Sequence, residues 1–287
     1  MKENKRRPLL AIFAVNFIWG FDFVAIDYMM DYVTPIVFTM SRLVIGCGLL
    51  LILSFVKNKG VHIKKEDLLR VLICGGLGMG IYFSIENWGV GLTSASFSSL
   101  IMATLPIFGM IADRLFFGNK ITPVKVVCVI FSVLGVYLLV SGEPLGMNLK
   151  GLFVMILAAV IWTVYMVMVK PLYEKYDLLT LLTGLFIAGL IVETPILLLS
   201  NPTGLEITGI GIIITVATTL VCFVLGELAY TYALGKLSVT VVASFENVLP
   251  IVACVLSFII FGTMLTGMQI IGGLIIMTAV TTIAFKG

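Results

Sequence analysis

The chain has 287 residues, of which 60% are hydrophobic and only 11% are charged, and its formal net charge is +3. Soluble domains are about 45–50% apolar and about 25% charged. The composition therefore excludes an ordinary soluble domain, and so small a net charge gives no basis for nucleic-acid binding. A surface this apolar predicts a protein that lies in a lipid bilayer.

Residue types that usually perform catalysis or bind metals are scarce. The single histidine, His62, lies among lysines, so a solvated loop is expected there. The five cysteines all lie in apolar runs, and their odd number without a CxxC pair disfavours a disulfide framework or a zinc site. The hydrolase and metalloprotease motifs GxSxG and HExxH do not occur. We predict no enzyme, no cofactor and no metal, with an integral membrane enzyme as the less favoured alternative.

Ten apolar segments are long enough to cross a hydrocarbon core of about 30 Å. They are predicted to be helices, because inside a bilayer each backbone donor must find its acceptor within its own segment. The segments are residues 9–29, 35–56, 69–90, 94–116, 121–141, 151–170, 178–200, 210–234, 238–261 and 265–285.

The basic residues predict how these helices are oriented. If the N-terminus is cytoplasmic, all 18 lysines and arginines except Lys150 and Arg42 fall on the cytoplasmic side. Such a bias in short loops is the pattern of cytoplasmic connections. We predict a multi-pass protein of the plasma membrane with both termini in the cytoplasm.

The chain repeats itself after 143 to 144 residues. "LPIFGMIADRLFFG" begins at Leu105 and "LPIVACVLSFIIFG" begins at Leu249, while Ile18-Trp19 matches Ile161-Trp162. These matches predict two five-helix units, residues 1–141 and 142–287. Because five is odd, the second unit must enter the membrane from the opposite side. Inverted repeats are typical of transporters whose substrate site lies near the midplane, where the repeats meet.

Several motifs are similar to those of a known family. "NFIWGFDFVAID", "SRLVIG", "GLTSAS", "LPIFGMIADRLFFGNKIT" and "LPIVACVLSFIIFGTMLT" resemble the EamA-like families of the drug/metabolite transporter superfamily. The resemblance covers nearly the whole chain. It implies a ten-helix transporter with a central cavity, often one that exports amino acids or other small metabolites. Many relatives have Glu where this chain has Asn119 and Thr263, so a role of that Glu does not carry over.

Charged residues within the predicted spans require a physical reason, because each costs at least about 2.5–3.5 kcal/mol on insertion. Asp22, Glu86 and Glu193 are placed in the outer half of the membrane, where Arg42 also lies. Arg42 is expected to neutralise one acid, with Asp22 and Glu86 as the candidates, and therefore to have a structural role.

Two further acids, Glu227 and Glu246, are placed in the inner half, where no base accompanies them. They either carry protons, because burial disfavours the charged form, or face water and a cationic ligand. Both alternatives suit a pathway for protons or cations. A third alternative is that they are neutral carboxyls bonded to Asn247, Ser244 or the backbone. We predict Glu246, Glu227 and Asn247 as substrate- or proton-binding residues, together with Asp22 and Glu86.

Aromatic residues add candidates for an amine site. Trp19 and Trp162 occupy equivalent deep positions in the two repeats, and Tyr165 follows Trp162 by one turn. Aromatic faces bind ammonium groups with about 0.5–2 kcal/mol each. Trp88 and Tyr232 lie near span ends, where an interfacial belt is the better interpretation.

Paired prolines predict a hinge in each repeat. Pro106 and Pro250 lie about twelve residues into their spans, and neither can donate a hydrogen bond to the carbonyl four residues earlier. The carbonyls expected to be free are those of Met102 and Glu246. The alternative is a packing kink without a ligand.

These features together predict a secondary transporter of a small polar metabolite, such as an amino acid or an organic amine. The absence of a GxxxxGK[ST] motif argues against direct use of ATP. Export by alternating access, with proton coupling as one option, is the favoured mechanism. A lipid-linked-sugar translocase is the alternative, which a laterally open groove would favour. The expected partners are a small-molecule substrate and the lipid bilayer but no nucleic acid, and a homodimer is left open.

Overall fold

The computed structural model describes residues 6–93, 95–141, 148–200, 208–252, 255 and 266–286. Throughout these ranges the regular structure is helical. The helices α1 to α10 are, in chain order, Arg6–Met29, Pro35–Asn58, Lys65–Leu92, Phe97–Phe117, Pro123–Val140, Leu149–Glu174, Leu178–Ser200, Gly209–Lys236, Val239–Val252 and Gly267–Phe285.

Length and composition suit these helices to a bilayer. Within the described ranges, the nine helices other than α9 are long and apolar enough to cross a membrane. Helix α9 is a shorter apolar helix, and most of the rest of its predicted span, residues 238–261, lies outside the described residues. The prediction of an all-α membrane protein with ten helices is confirmed.

Local sequence explains where several helices begin and end. Threonine or serine side chains accept backbone hydrogen bonds at the starts of α5, α8 and α9, where Thr122, Thr208 and Ser238 are the capping residues. Gly118, with φ of 68°, ends α4 in the left-handed conformation that glycine adopts without strain. These caps supply partners for backbone groups that the helix itself leaves unpaired.

Helices α3 and α8 each contain a π-helical segment. These segments, Gly76–Tyr82 and Thr219–Leu225, begin at residues 76 and 219, an offset of 143 that equals the spacing of Trp19 and Trp162. A π segment widens the helix and changes the direction of the side chains that follow it. In α3 the segment precedes Glu86, and in α8 it precedes Glu227.

The two prolines act differently from the prediction. Helix α4 is interrupted at residues 103–104, so that Pro106 lies in the first turn of a new helical segment, Leu105–Phe117. In α9 a short 3-10 turn, Glu246–Val248, precedes Pro250, and the Glu246 carbonyl accepts the amide of Leu249. The expectation that Pro250 leaves the Glu246 carbonyl free is therefore wrong, because the tighter turn provides a nearer donor.

Helix packing has a twofold character. Helix α1 packs on α8 just as α6 packs on α3, and the pairs α2/α7, α4/α9 and α5/α10 each join equivalent helices. Exchanging the first five helices with the last five leaves this set of neighbours unchanged. The packing accords with two five-helix repeats, while the boundary between residues 141 and 142 and the opposite orientation of the repeats stay predictions.

The end of the bundle where α1 begins and α10 ends, here called the terminal end, is closed by polar contacts between the two halves. Asp67 of α3 accepts hydrogen bonds from Lys175 Nζ at 2.9 Å and from the Tyr176 hydroxyl at 2.7 Å. The hydrogen bond to Asp67 raises the pKa of Lys175. Asn58 at the end of α2 donates to Asp177 at 2.8 Å. These contacts join the two halves of the chain at the terminal end.

The inverted arrangement can be tested at two equivalent positions. Lys64 and Thr208 immediately precede α3 and α8, lie 144 residues apart, and are both exposed. Single cysteines at these positions, in a protein without its native cysteines, should react with an impermeant maleimide from opposite sides of intact cells. Permeabilised cells provide the control for reactivity. Labelling of both positions from the same side would contradict the inverted repeat.

Candidate functional site

Aromatic rings from both halves of the chain meet in the middle of the bundle. Trp162 of α6 stacks on Tyr82 of α3, with ring centroids 4.4 Å apart. Trp19 of α1 lies 5.0 Å from Tyr230 of α8 and 6.1 Å from Trp162. The equivalent tryptophans of the two repeats are therefore neighbours, and together they form the centre of the molecule.

A small closed cavity lies against these rings and is lined by acids from three helices. Its volume is about 20 Å³, which is room for about one water molecule. The lining residues are Trp19, Asp22, Phe23, Ile26, Tyr82, Phe83, Glu86 and Glu246. Four of the predicted site residues thus share one cavity, with carboxyl groups from α1, α3 and α9.

Arg42 pairs with Asp22 rather than with Glu86. Its Nη2 lies 2.8 Å from the Asp22 carboxylate, and both residues are buried. The guanidinium also lies 4.7 Å from the centroid of the Phe223 ring and 5.3 Å from that of Phe38. A buried pair in contact with aromatic faces is a fixed element of the structure. This contact decides between the two partners that the sequence left open.

The acids that line the cavity differ in their hydrogen-bond partners. Glu86 accepts a hydrogen bond of 2.5 Å from the Tyr82 hydroxyl, one turn earlier on α3. Glu246 is 3% exposed, and its Oε1 has no hydrogen-bond partner among the described residues. Asn247, next to it in sequence, donates instead to Ser132 of α5 at 2.8 Å. The structure therefore does not bring Asn247 to the cavity.

Ser244 is not a partner of Glu246 either. Its hydroxyl donates to the Thr240 carbonyl at 2.7 Å, within α9. The alternative in which Asn247 or Ser244 neutralises Glu246 is therefore not the observed arrangement. The Trp162 indole lies close enough to Glu246 to interact by hydrogen bonding, and Oε1 of the carboxyl is left without a partner among the described residues.

Glu227 is not among the residues that line the cavity, and it is fully buried. Neither of its carboxyl oxygens has a hydrogen-bond partner among the described residues. It interacts electrostatically with Glu246, Glu86 and Arg42. Glu86 and Glu246, predicted for the outer and the inner half, line one cavity, and Arg42 interacts with Glu227 as well. The depths of these acids in the membrane stay predictions.

The π segment of α8 positions Trp19 and Arg42 through its backbone. The Trp19 indole donates to the Cys222 carbonyl at 3.0 Å, and Arg42 lies 3.5 Å from the Thr218 carbonyl. A Cβ at Gly226 would stand only 2.7 Å from the Trp19 indole nitrogen, so the ring requires glycine there. The irregular helix thus offers carbonyl groups that a regular α-helix would use internally.

Asp113 is a structural acid that the sequence analysis missed. It accepts hydrogen bonds from the amides of Val239 and Thr240, at 3.2 and 2.8 Å, and from the Thr240 hydroxyl. A carboxylate at a helix N-terminus is favourable, and this one joins α4 to the start of α9. The partners lie more than 120 residues away, so local sequence gave no signal for them.

The remaining acid, Glu193 of α7, accepts a hydrogen bond from Ser84 of α3 and does not line the cavity. Trp88 and Tyr232 are partly exposed, which fits the interfacial positions expected of them. The Tyr82–Glu86 pair was also missed, although its i, i+4 spacing on a helix is a signal that sequence reasoning can use.

The fold, with acids at a cavity in the middle of the bundle, is that of a membrane protein that spans the bilayer many times. The chain belongs to the EamA-like transporter family, whose sequence model matches residues 6–141 and again residues 149–285. The expected resemblance is thus confirmed.

Individual relatives agree with this assignment. A protein of Archaeoglobus fulgidus named an uncharacterized transporter is 28% identical, over 93% of this chain and 95% of its own. A probable terminal-alkyne amino-acid exporter of Streptantibioticus cattleyicolor is 25% identical, over 95% of this chain and 91% of its own. One solved crystal structure shares the fold, with a TM-score of 0.78 and 16% identity over 97% of each chain.

The buried ion pair yields a prediction about stability. Arg42→Met leaves the Asp22 carboxylate buried without a base and should lower the free energy of unfolding by about 3–5 kcal/mol. Adding Asp22→Asn should recover part of this loss. Equilibrium unfolding in mixed detergents measures both effects, and Arg114→Gln, at an exposed position of α4, is the control. An equal loss in the single and double variants would show that the pair is not coupled.

Proposed function

We propose that this protein is a secondary transporter that exports a small molecule with a positively charged amino group, such as an amino acid or an organic amine. The observation that carries the proposal is the buried carboxyl group of Glu246, whose Oε1 has no hydrogen-bond partner among the described residues and which lines a small cavity beside aromatic rings from both halves. Glu227, Tyr165 and Trp162 lie next to this cavity and complete the proposed site.

The charge balance of the site favours a cation. Asp22 is neutralised by Arg42, and the Tyr82 hydroxyl donates to Glu86, so Glu246 has the greatest need of a positive partner. An ammonium group supplies that charge, and the faces of Trp19 and Tyr82 can bind it through cation–π contacts. An anionic substrate would meet several acids and no free base in this cavity.

The size of the cavity indicates a closed conformation. A volume of about 20 Å³ holds one water and not an amino acid, so the site must widen when substrate binds. At the terminal end, the Asp67–Lys175 pair and the Asp113 cap on α9 must separate before the cavity opens there. In alternating access, these contacts would break while equivalent contacts form at the opposite end of the bundle.

A proton gradient suits the same carboxyl group. Glu246 can be neutralised by a proton or by the substrate ammonium, but not by both. Binding of substrate would release the proton, and protonation would release the substrate. Because each ligand would bind one conformation better than the other, the gradient could drive export.

The comparisons support the substrate class and the direction more than any alternative. The Streptantibioticus relative is named as an amino-acid exporter, although at 25% identity. A lipid-linked sugar would need a groove open toward the lipid, whereas the acids of this site are buried. Residence in the plasma membrane with both termini cytoplasmic is part of the proposal.

The variant Glu246→Gln tests the site. Wild-type protein should be stabilised against heat by at least one neutral amino acid or primary amine, by about 2.7 kcal/mol when the ligand is at 100 times its Kd. Glu246→Gln should keep the fold but lose this stabilisation, and it should lose export driven by a pH gradient in proteoliposomes. Thermal unfolding and uptake of the same labelled compound are the measurements.

The matched control is Glu66→Gln, which changes an exposed carboxyl at the start of α3. Wild-type stabilisation and pH dependence in Glu246→Gln would remove this residue from the mechanism. A dicarboxylate as the tightest ligand of the wild-type protein would refute the cationic substrate.

A further inference from the structure

A row of buried hydroxyl groups connects Glu227 with the terminal end. The side-chain oxygens of Tyr165, Thr231 and Tyr173 are all buried, and none has a hydrogen-bond partner among the described residues. Most buried polar groups in proteins are hydrogen-bonded, so each exception requires an explanation. These three unpartnered hydroxyl groups lie near one another and near the Glu227 carboxyl group, whose oxygens are also buried without a hydrogen-bond partner in the described ranges.

Helical geometry places these groups in line. Glu227, Thr231 and Gly235 follow one another at intervals of four residues on one face of α8, over about 12 Å of helix. Tyr165 and Tyr173 are spaced eight residues apart on α6. A Cβ at Gly235 would stand 3.2 Å from that of Tyr173, which shows how closely the two helices approach at the terminal end.

The hydroxyl groups are within reach of one another. Tyr173 lies close enough to Tyr165 and Thr231 to interact by hydrogen bonding, although no pair reaches full hydrogen-bond geometry. Tyr165 and Tyr173 both interact electrostatically with Glu227. Tyr173 as a whole is partly exposed although its hydroxyl is buried, so the row runs from a side chain that reaches the surface to a fully buried acid.

We propose that Tyr173, Thr231 and Tyr165 form a proton relay between water at the terminal end and Glu227. Tyr230, whose hydroxyl is also unpartnered and which interacts with both Glu227 and Glu246, joins the relay to the cavity. The relay rests on the proposed function, because its role would be to carry the proton that drives export.

The transfer is balanced at every step. Each hydroxyl oxygen accepts a proton from its neighbour and gives its own proton onward, and rotation about the C–O bond restores the starting arrangement. One proton leaves water and one arrives on the Glu227 carboxylate. Tyrosine and threonine suit this task because each hydroxyl can donate and accept at the same time.

The charge on Glu227 depends on groups from every helix that faces it. These groups are Glu246 of α9, Glu86 of α3, Arg42 of α2, Tyr165 and Tyr173 of α6, and Tyr230 on α8 itself. A change at one of the charged groups, Glu246, Glu86 or Arg42, shifts the proton occupancy of Glu227. Tyr173→Phe and Tyr165→Phe remove neutral hydroxyl groups and leave these three charged groups in place.

The first half of the chain has no equivalent row. The positions 143 residues before Tyr165 and Tyr173 hold Asp22 and Met30, and Asp22 is engaged by Arg42. The relay therefore connects the central acids to the terminal end alone.

Infrared spectroscopy tests the relay without any substrate. The protonated carboxyl band of Glu227 is identified as the band that Glu227→Gln lacks, in reconstituted protein over a range of pH. Its exchange is then followed after H2O is replaced by D2O. Tyr173→Phe and Tyr165→Phe should each slow the exchange by at least ~10-fold, as expected when a positioned proton-transfer group is lost.

The control is Tyr232→Phe, which removes the same hydroxyl from a neighbouring position of α8 that is partly exposed. Both relay variants keep the ring, and circular dichroism verifies that they keep the fold. Slower exchange in either relay variant with normal exchange in the control supports the proposal. Unchanged exchange in both, equal slowing in the control, or no band that depends on Glu227 would overturn it.

The outcome is independent of the substrate assignment. Failure of the relay would leave the stabilisation by amines and its loss in Glu246→Gln untouched. Failure of every amine to bind would leave the exchange rates of Glu227 as they are.

Discussion

A carboxyl group inside a membrane protein is stable only when a base, a proton or a hydrogen-bond donor compensates its charge, and this constraint organises the centre of the bundle. Arg42 compensates Asp22 by a direct ion pair, and the Tyr82 hydroxyl donates to Glu86. Both oxygens of Glu227 and Oε1 of Glu246 have no hydrogen-bond partner among the described residues, and neither acid is paired with a base there. The polar architecture therefore leaves two positions where a mobile positive charge lowers the free energy.

The two halves of the chain share a shape but differ in chemistry. Both have a central tryptophan, and both have a π segment in the third helix of the half. The first half holds the ion pair, whose charges are fixed. The second half holds Glu246 and Glu227 together with the unpartnered hydroxyl groups of Tyr165, Tyr173, Tyr230 and Thr231. The repeated scaffold thus carries a buried ion pair in its first half and a cluster of acids and hydroxyl groups with unpartnered oxygens in its second half.

Hydropathy and internal repetition were sufficient to predict the helices, the three acids that line the cavity and the paired tryptophans. The helices α1 and α7 end at Met29 and Ser200, where their predicted spans end, because the change from apolar to polar residues is a local signal. Side-chain partners depend on how each helix is rotated about its axis. This rotation decides that Arg42 pairs with Asp22 and that Asn247 contacts Ser132. A single sequence carries little information about that rotation, particularly after a π segment.

Contacts between distant parts of the chain were equally difficult to predict from the sequence. Asp113 caps α9 across more than 120 residues, and nothing near either position indicates the pairing. The 3-10 turn that re-pairs the Glu246 carbonyl is a local adjustment to Pro250, but a proline alone allows either a free carbonyl or a tightened turn. Helix propensity does not distinguish these two outcomes.

The depth of Glu227 has an electrical consequence. It lies nine residues before the last residue of α8, Lys236, or about 14 Å along the helix, which is roughly half of a hydrocarbon core of about 30 Å. A charge that reaches this carboxyl from the terminal end crosses about half of the transmembrane field. Moving one elementary charge across the whole membrane corresponds to about 2.3 kcal/mol per 100 mV. The membrane potential would therefore change the free energy of proton binding to Glu227 by about 1.2 kcal/mol per 100 mV. If the proposed relay delivers protons to Glu227, their binding would depend on the membrane potential as well as on pH.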